Sequence, residues 1–273
     1  MSVFDQMLSR YSIVTDNDRR NAMHEVMQEI ALAGLYRGGF FEKAAFYGGT
    51  CLRIFHSMPR FSEDMDFSLV SMDKTFRLED FFPAVILEFQ AAGKQVEFIK
   101  KEKKKNTNIE SAFLKDDSEI YDLSFRTEKV IKIKIEVDIN PPLNFNTEQR
   151  LLLQPFSFMT RCFSLSDMYA GKIHALLFRN WKSRVKGRDW YDFEWYVRNN
   201  VLLDFSHLQT RTLQFNGMNI DRDVFAGLLR ERILKTDIRV VKNDVEPFIK
   251  NPRELDIWSN EYFIQLSEKI VFL

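Results

Sequence analysis

Two stretches decide the fold: residues 44–53, Ala44-Ala45-Phe46-Tyr47-Gly48-Gly49-Thr50-Cys51-Leu52-Arg53, and residues 60–70, Arg60-Phe61-Ser62-Glu63-Asp64-Met65-Asp66-Phe67-Ser68-Leu69-Val70. The first reads as a short apolar strand that breaks at paired glycines and continues as helix to Ser57. Glycines at such a turn let the backbone approach a phosphate closely, and the helix behind it offers free N–H groups and a positive dipole end. Thr50 adds a hydroxyl donor. The same turn also arises for steric reasons alone. The second stretch is a strand from Met65 to Val70 with Asp64 and Asp66 at its mouth. Alternate residues of a strand share a face, so these carboxylates point the same way. Hard oxygen pairs of this kind suit Mg²⁺ or Mn²⁺ rather than zinc.

Working outward, the first forty residues read as helix, capped at Asp16 or Asn17, with Met23, Val26, Met27, Ile30, Ala31 and Leu35 at helical spacing and Gly38-Gly39 as the stop. Residues 76–92 are helical in pattern. Short strands are expected at 94–99, 109–114, 121–125 and 151–158. The clearest strand spans 130–139, where apolar residues alternate with Lys132, Lys134, Glu136 and Asp138. Glu136 and Asp138 share its polar face. They either pair with Lys132 or Lys134 on a solvated surface, or one of them joins Asp64 and Asp66 as a third metal carboxylate. Three gathered carboxylates repel unless a divalent cation neutralises them.

From Ser164 onward the pattern predicts helices only. Ser166 is expected to cap one over 167–180, Gly187 to precede one over 188–199, and others to follow at 204–214, 221–235 and 253–270. The change near residue 160 suggests an α/β unit over 1–160 and a helical unit over 161–273.

Composition narrows the class. The chain has 273 residues, 45% of them hydrophobic and 29% charged, enough to bury a core. Lys+Arg and Asp+Glu number 39 each, which excludes a uniformly basic nucleic-acid coat. Two cysteines, Cys51 and Cys162, rule out a disulfide framework and suit a reducing cytoplasm. No apolar run is long enough for a membrane span, and the start, MSVFDQMLSRYS, lacks a signal-peptide core.

The order G-G-T-x-L-R, then R-F-S-x-D-x-D-F, resembles the nucleotidyltransferase-like toxin family typified by the abortive-infection AbiEii/AbiGii proteins and the mycobacterial MenT toxins. The resemblance extends to Asp167-Met168-Tyr169-Ala170-Gly171-Lys172-Ile173-His174-Ala175-Leu176-Leu177-Phe178-Arg179 and Lys186-Gly187-Arg188-Asp189-Trp190-Tyr191-Asp192. It covers roughly residues 40–200 and implies an α+β fold of the DNA polymerase β-type nucleotidyltransferase superfamily, a mixed sheet with helices packed on it. By that resemblance Gly48, Gly49 and Thr50 match the nucleotide-binding turn, with Arg53 in the same motif. Asp64 and Asp66 match the metal carboxylates, Lys172 the lysine that meets phosphate, and Asp189 or Asp192 the late acid. The family's usual Gly-Ser is Gly49-Thr50 here.

The helical signature also reads physically. Lys172 and Arg179, seven apart, share a helix face able to meet a triphosphate. Asp189 and Asp192 share another face, and Arg188 with Asp192 is an i,i+4 ion pair in the alternative reading. The lysine-rich run 100–105, with Arg179, Lys182, Arg184, Lys186 and Arg188, is either an RNA-backbone track or a solvated face. The histidines show no zinc spacing, and His174 reads as structural.

The expectation is a Mg²⁺- or Mn²⁺-dependent enzyme that moves NMP from an NTP to an acceptor hydroxyl. The resemblance adds a tRNA 3′ end as acceptor and an antitoxin as partner. Two alternatives stay open: an inert nucleotide- or partner-binding module of the same fold, and a metal-dependent nuclease, which would shorten RNA without any NTP.

Overall fold

The computed structural model describes residues 1–100, 118–125, 131–179 and 185–273. The expected strand at 109–114, most of the lysine run, Val130, and the basic residues Lys182 and Arg184 lie outside them.

After a short helix α1 (Val3–Leu8), α2 (Asp16–Arg37) is capped by the Thr15 side chain in a reciprocal pair with Asp18, one residue before the expected caps. From Ala22 to Leu35 α2 is buried nearly all round, so it packs as an internal helix. It lies against β5 (Lys132–Asp138), β7 (Phe158–Phe163) and α5 (Phe82–Ala91).

The remaining front elements are α3 (Phe40–Lys43), β1 (Ala44–Tyr47), α4 (Gly48–His56), β2 (Met65–Leu69), β3 (Val96–Lys100), β4 (Ser118–Phe125) and β6 (Thr147–Leu152). Among the described residues the strands form one seven-stranded mixed sheet in the order β3-β4-β5-β2-β1-β7-β6. β2 pairs with β5 and β1 with β7 in parallel; the other neighbours are antiparallel. The architecture is thus α+β. Where one strand was expected over 151–158, β6 and β7 flank a turn containing Pro155, whose ring cannot continue a ladder.

Phe46 and Phe67 stack at 4.9 Å on one face of the sheet, and Phe40 meets Phe67 edge-on at 5.0 Å. Ile133, Ile135 and Val137 of β5 are buried as well. That alternation leaves Lys134, Glu136 and Asp138 on the other face, with Asp66 and Ser68 of β2 beside them.

Beyond the sheet come α6 (Leu165–Phe178), α7 (Gly187–Arg198), α8 (Phe205–Asn216), α9 (Arg222–Lys235), α10 (Ile238–Val245) and α11 (Asn260–Ser267). Ser164 caps α6 rather than Ser166, its side chain accepting from the Asp167 N–H. The back half is not purely helical: Leu202–Leu203 and Val271–Phe272 pair as a short parallel ladder. α6 and α7 meet through Tyr169 and Tyr196, stacked at 4.4 Å.

Candidate active site

The site begins at the bend between β1 and α4. Gly48 has φ +83°, and a Cβ there would lie 2.7 Å from Asp66 Oδ2. A side chain is therefore excluded twice, by backbone conformation and by space. At Gly49 a Cβ would meet an Arg60 guanidinium nitrogen at 2.6 Å and Ser62 Oγ at 2.8 Å. The N-terminal end of α4 thus stands directly over Asp66 and Arg60.

Strand register assembles the acids. Asp66 pairs with Glu136 across the parallel β2–β5 ladder, and Tyr47 flanks Asp66 on the other side. One step back, Asp64 neighbours Lys134, whose Nζ is 2.8 Å from Glu136 Oε2 and 3.8 Å from Asp64 Oδ2. Burial, reinforced by the charges of Glu136 and Asp64, pushes the Asp66 carboxyl up to about 6. Burial works against the Lys134 charge, but Glu136 and Asp64 outweigh it and hold the ammonium above the usual lysine range.

Asp138 sits one step deeper, opposite Ser68, only 1% exposed, and its Oδ1 accepts the Asn140 N–H at the strand end. The two acids left open by sequence therefore differ in place: Glu136 stands beside Asp66 and shares Lys134 with Asp64, whereas Asp138 holds the turn after β5. Lys134, not Lys132, is the lysine that contacts Glu136.

Among the described residues no group of three or more acidic, histidine or cysteine side chains stands close enough together to hold a metal ion as it is. The donor set nonetheless fits a hard divalent ion. Asp64, Asp66 and Glu136 offer only oxygen, the charges of Glu136 and Asp64 help raise the Asp66 carboxyl, and an ammonium stands beside them as counter-charge.

Two expected nucleotide contacts are committed elsewhere. Thr50 is fully buried, and its hydroxyl donates to the Asp64 carbonyl, so it shapes the carboxylate loop instead of facing a phosphate. The Arg53 guanidinium donates to Glu25 at 2.9 Å and to the carbonyls of Met58 and Pro59. Arg53 braces the loop that carries Arg60. Gln28 of α2 adds bonds to the carbonyls of Ser62 and Glu63.

The helical half contributes a buried ionic network. Lys172 Nζ lies 2.7 Å from Asp189 Oδ1 and 2.7 Å from Asp192 Oδ2, and Arg179 reaches Asp189 at 2.9 Å. Arg60 closes the network with two bonds to Asp192, at 2.5 and 2.7 Å. The Arg188–Asp192 pair of the alternative reading does not form, because Asp192 faces inward to Arg60 and Lys172; Arg188 lies over the Phe248 ring at 4.1 Å. Burial alone would raise both aspartates, but Lys172 with Arg179, and Arg60 with Lys172, hold Asp189 and Asp192 below the ordinary carboxylate value. Lys186, immediately before α7, is brought down to about 8 by burial and by Arg179, Lys172 and Arg188, against the pull of Asp189.

Sequence reasoning missed Arg60. Its signal was the buried aspartate of an aromatic helix, which needs a cation from elsewhere. His174 is structural as expected, hydrogen-bonded to Asn216 at 2.8 Å. Cys51 and Cys162 are buried free thiols.

A mixed sheet with an acidic row, a glycine bend and a cationic helical wall defines the nucleotidyltransferase fold class. The description "Nucleotidyl transferase AbiEii toxin, Type IV TA system" matches residues 30–261, and the chain belongs to that family. Two solved Helicobacter pylori structures share its fold. One, assigned as a nucleotidyltransferase, has a TM-score of 0.51 at 15% identity, covering 90% of this chain and 92% of its own. The other, JHP933, has a TM-score of 0.55 at 14% identity, covering 94% and 92%. No curated protein matches the sequence. Among the described residues no helix is long and apolar enough to cross a membrane.

Proposed function

We propose that this protein is a Mg²⁺- or Mn²⁺-dependent nucleotidyltransferase that moves an NMP from an NTP to an acceptor hydroxyl and releases pyrophosphate. One observation carries the reading: strand register sets Asp66 beside Glu136 under a glycine-opened helix N-terminus, and Lys134 ties Asp64 to the same pair.

In this reading the N–H groups at Gly48 and Gly49 receive the phosphates, helped by the α4 dipole. Lys172 and Arg179 supply positive charge from the helical half, and Asp189 and Asp192 hold the Lys172 amine in place. Arg60 acts beneath the bend as a positioning residue. Asp64, Asp66 and Glu136 would hold the metal. A divalent ion, when bound, neutralises charge on the phosphoryl group and lowers the pKa of an acceptor hydroxyl. One of these carboxylates then accepts that hydroxyl's proton.

The family points to the toxin member of a type IV toxin–antitoxin pair, working in the cytoplasm with an antitoxin as partner. A tRNA 3′ end is the proposed acceptor. The test is incubation with each labelled NTP and total RNA, comparing wild type with Asp66→Ala. Mg²⁺-dependent label in RNA from wild type alone is expected; equal labelling by both proteins overturns the proposal. RNA shortening without NTP would favour a nuclease.

A further inference from the structure

Lys134 lies where the acidic row needs a cation. It projects from β5 between Glu136 on its own strand and Asp64 beside β2, and Asp122 of β4 stands opposite it in register. Its side chain is 30% exposed, so the ammonium can leave for solvent without unpacking the sheet. Three carboxylates facing one ammonium keep an excess of negative charge. A divalent ion carries more charge and bonds the oxygens directly, so it competes for the same atoms.

We propose that Lys134 is the built-in counter-ion of the metal-free site, and that a divalent cation enters by displacing its ammonium from Glu136 and Asp64. The proposal rests on Asp64, Asp66 and Glu136 being the metal-holding set. Loading then frees a mobile amine at the rim of the site. Without metal, Lys134 holds the strand-end acids together.

Mn²⁺ titration followed by electron paramagnetic resonance at alkaline pH, on wild type, Lys134→Gln and Lys134→Arg, tests this. Lys134→Gln is expected to bind Mn²⁺ roughly fivefold more tightly, the equivalent of one modest ion pair. Lys134→Arg keeps the counter-charge and should stay near wild type. A second measurement needs no variant: amine acylation read by mass spectrometry should rise at Lys134 when Mn²⁺ is added to wild type, with other lysines unchanged. Equal or weaker Mn²⁺ binding by Lys134→Gln, or labelling of Lys134 that does not rise, overturns the proposal. Those results leave the metal reading intact so long as wild type binds Mn²⁺. Failure of all three proteins to bind it removes both.

Discussion

Arg60 and Asp192, 132 positions apart, form a two-pronged ion pair at 2.5 and 2.7 Å, with the arginine 2% exposed and the aspartate fully enclosed. The pair joins the loop before β2 to α7, and Lys172 shares the same aspartate. The glycine bend rests on Arg60 and Lys172 rests on Asp192, so the two halves of the proposed substrate site share one support.

Removing Asp192 strands two cations in a closed environment. Asp192→Asn is expected to cost about 3–5 kcal/mol, the usual penalty for breaking a buried ion pair from one side. Urea unfolding of wild type and variant measures it. A loss below about 1 kcal/mol, the scale of a surface pair, would show that the network contributes little.

Gly48→Ala confronts the Asp66 carboxylate at 2.7 Å and a left-handed backbone. The backbone term alone is about 1–2 kcal/mol. Nucleotide affinity should fall at least tenfold, while circular dichroism keeps its wild-type shape; isothermal titration with NTP reads the first.

Glu136→Gln and Asp138→Asn should separate cleanly. The first is expected to abolish label transfer with a small change in melting temperature. The second removes the charge of the acceptor that ties Asn140 and should lower melting temperature more than it lowers activity. Parallel melts and transfer assays decide it, and the reverse pattern would move the third carboxylate to Asp138.

The elevated Asp66 carboxyl gives a signed pH effect. Its folded value, about 6, exceeds its ordinary 3.8. The stability this group contributes is therefore present in full below the ordinary value and lost as pH rises through about 6. Added Mg²⁺ should raise the melting temperature clearly above that point and hardly at all below it, where the carboxyl is protonated. A scan of melting temperature against pH, with and without Mg²⁺, tests the sign.

The glycine bend, the strand with Asp64 and Asp66, and the alternating strand through Glu136 were legible because each is a local pattern. The choice between Glu136 and Asp138 was not, since it depends on how β2 and β5 slide past each other, and both acids share a face. Thr50 and Arg53 misled for a similar reason. Their chemistry suits phosphate, but the carbonyl of Asp64 and the carboxylate of Glu25 took their donors first. Arg60 stayed hidden in a loop because its partner lies 132 positions away.

The Arg60–Asp192 clamp also bears on synthesis. A ribosome-bound or truncated chain that ends before Asp192 has an arginine without its counter-charge and a bend without its floor. Such a fragment lacks the floor of the bend, so the glycine turn is completed only when α7 folds back onto the loop before β2.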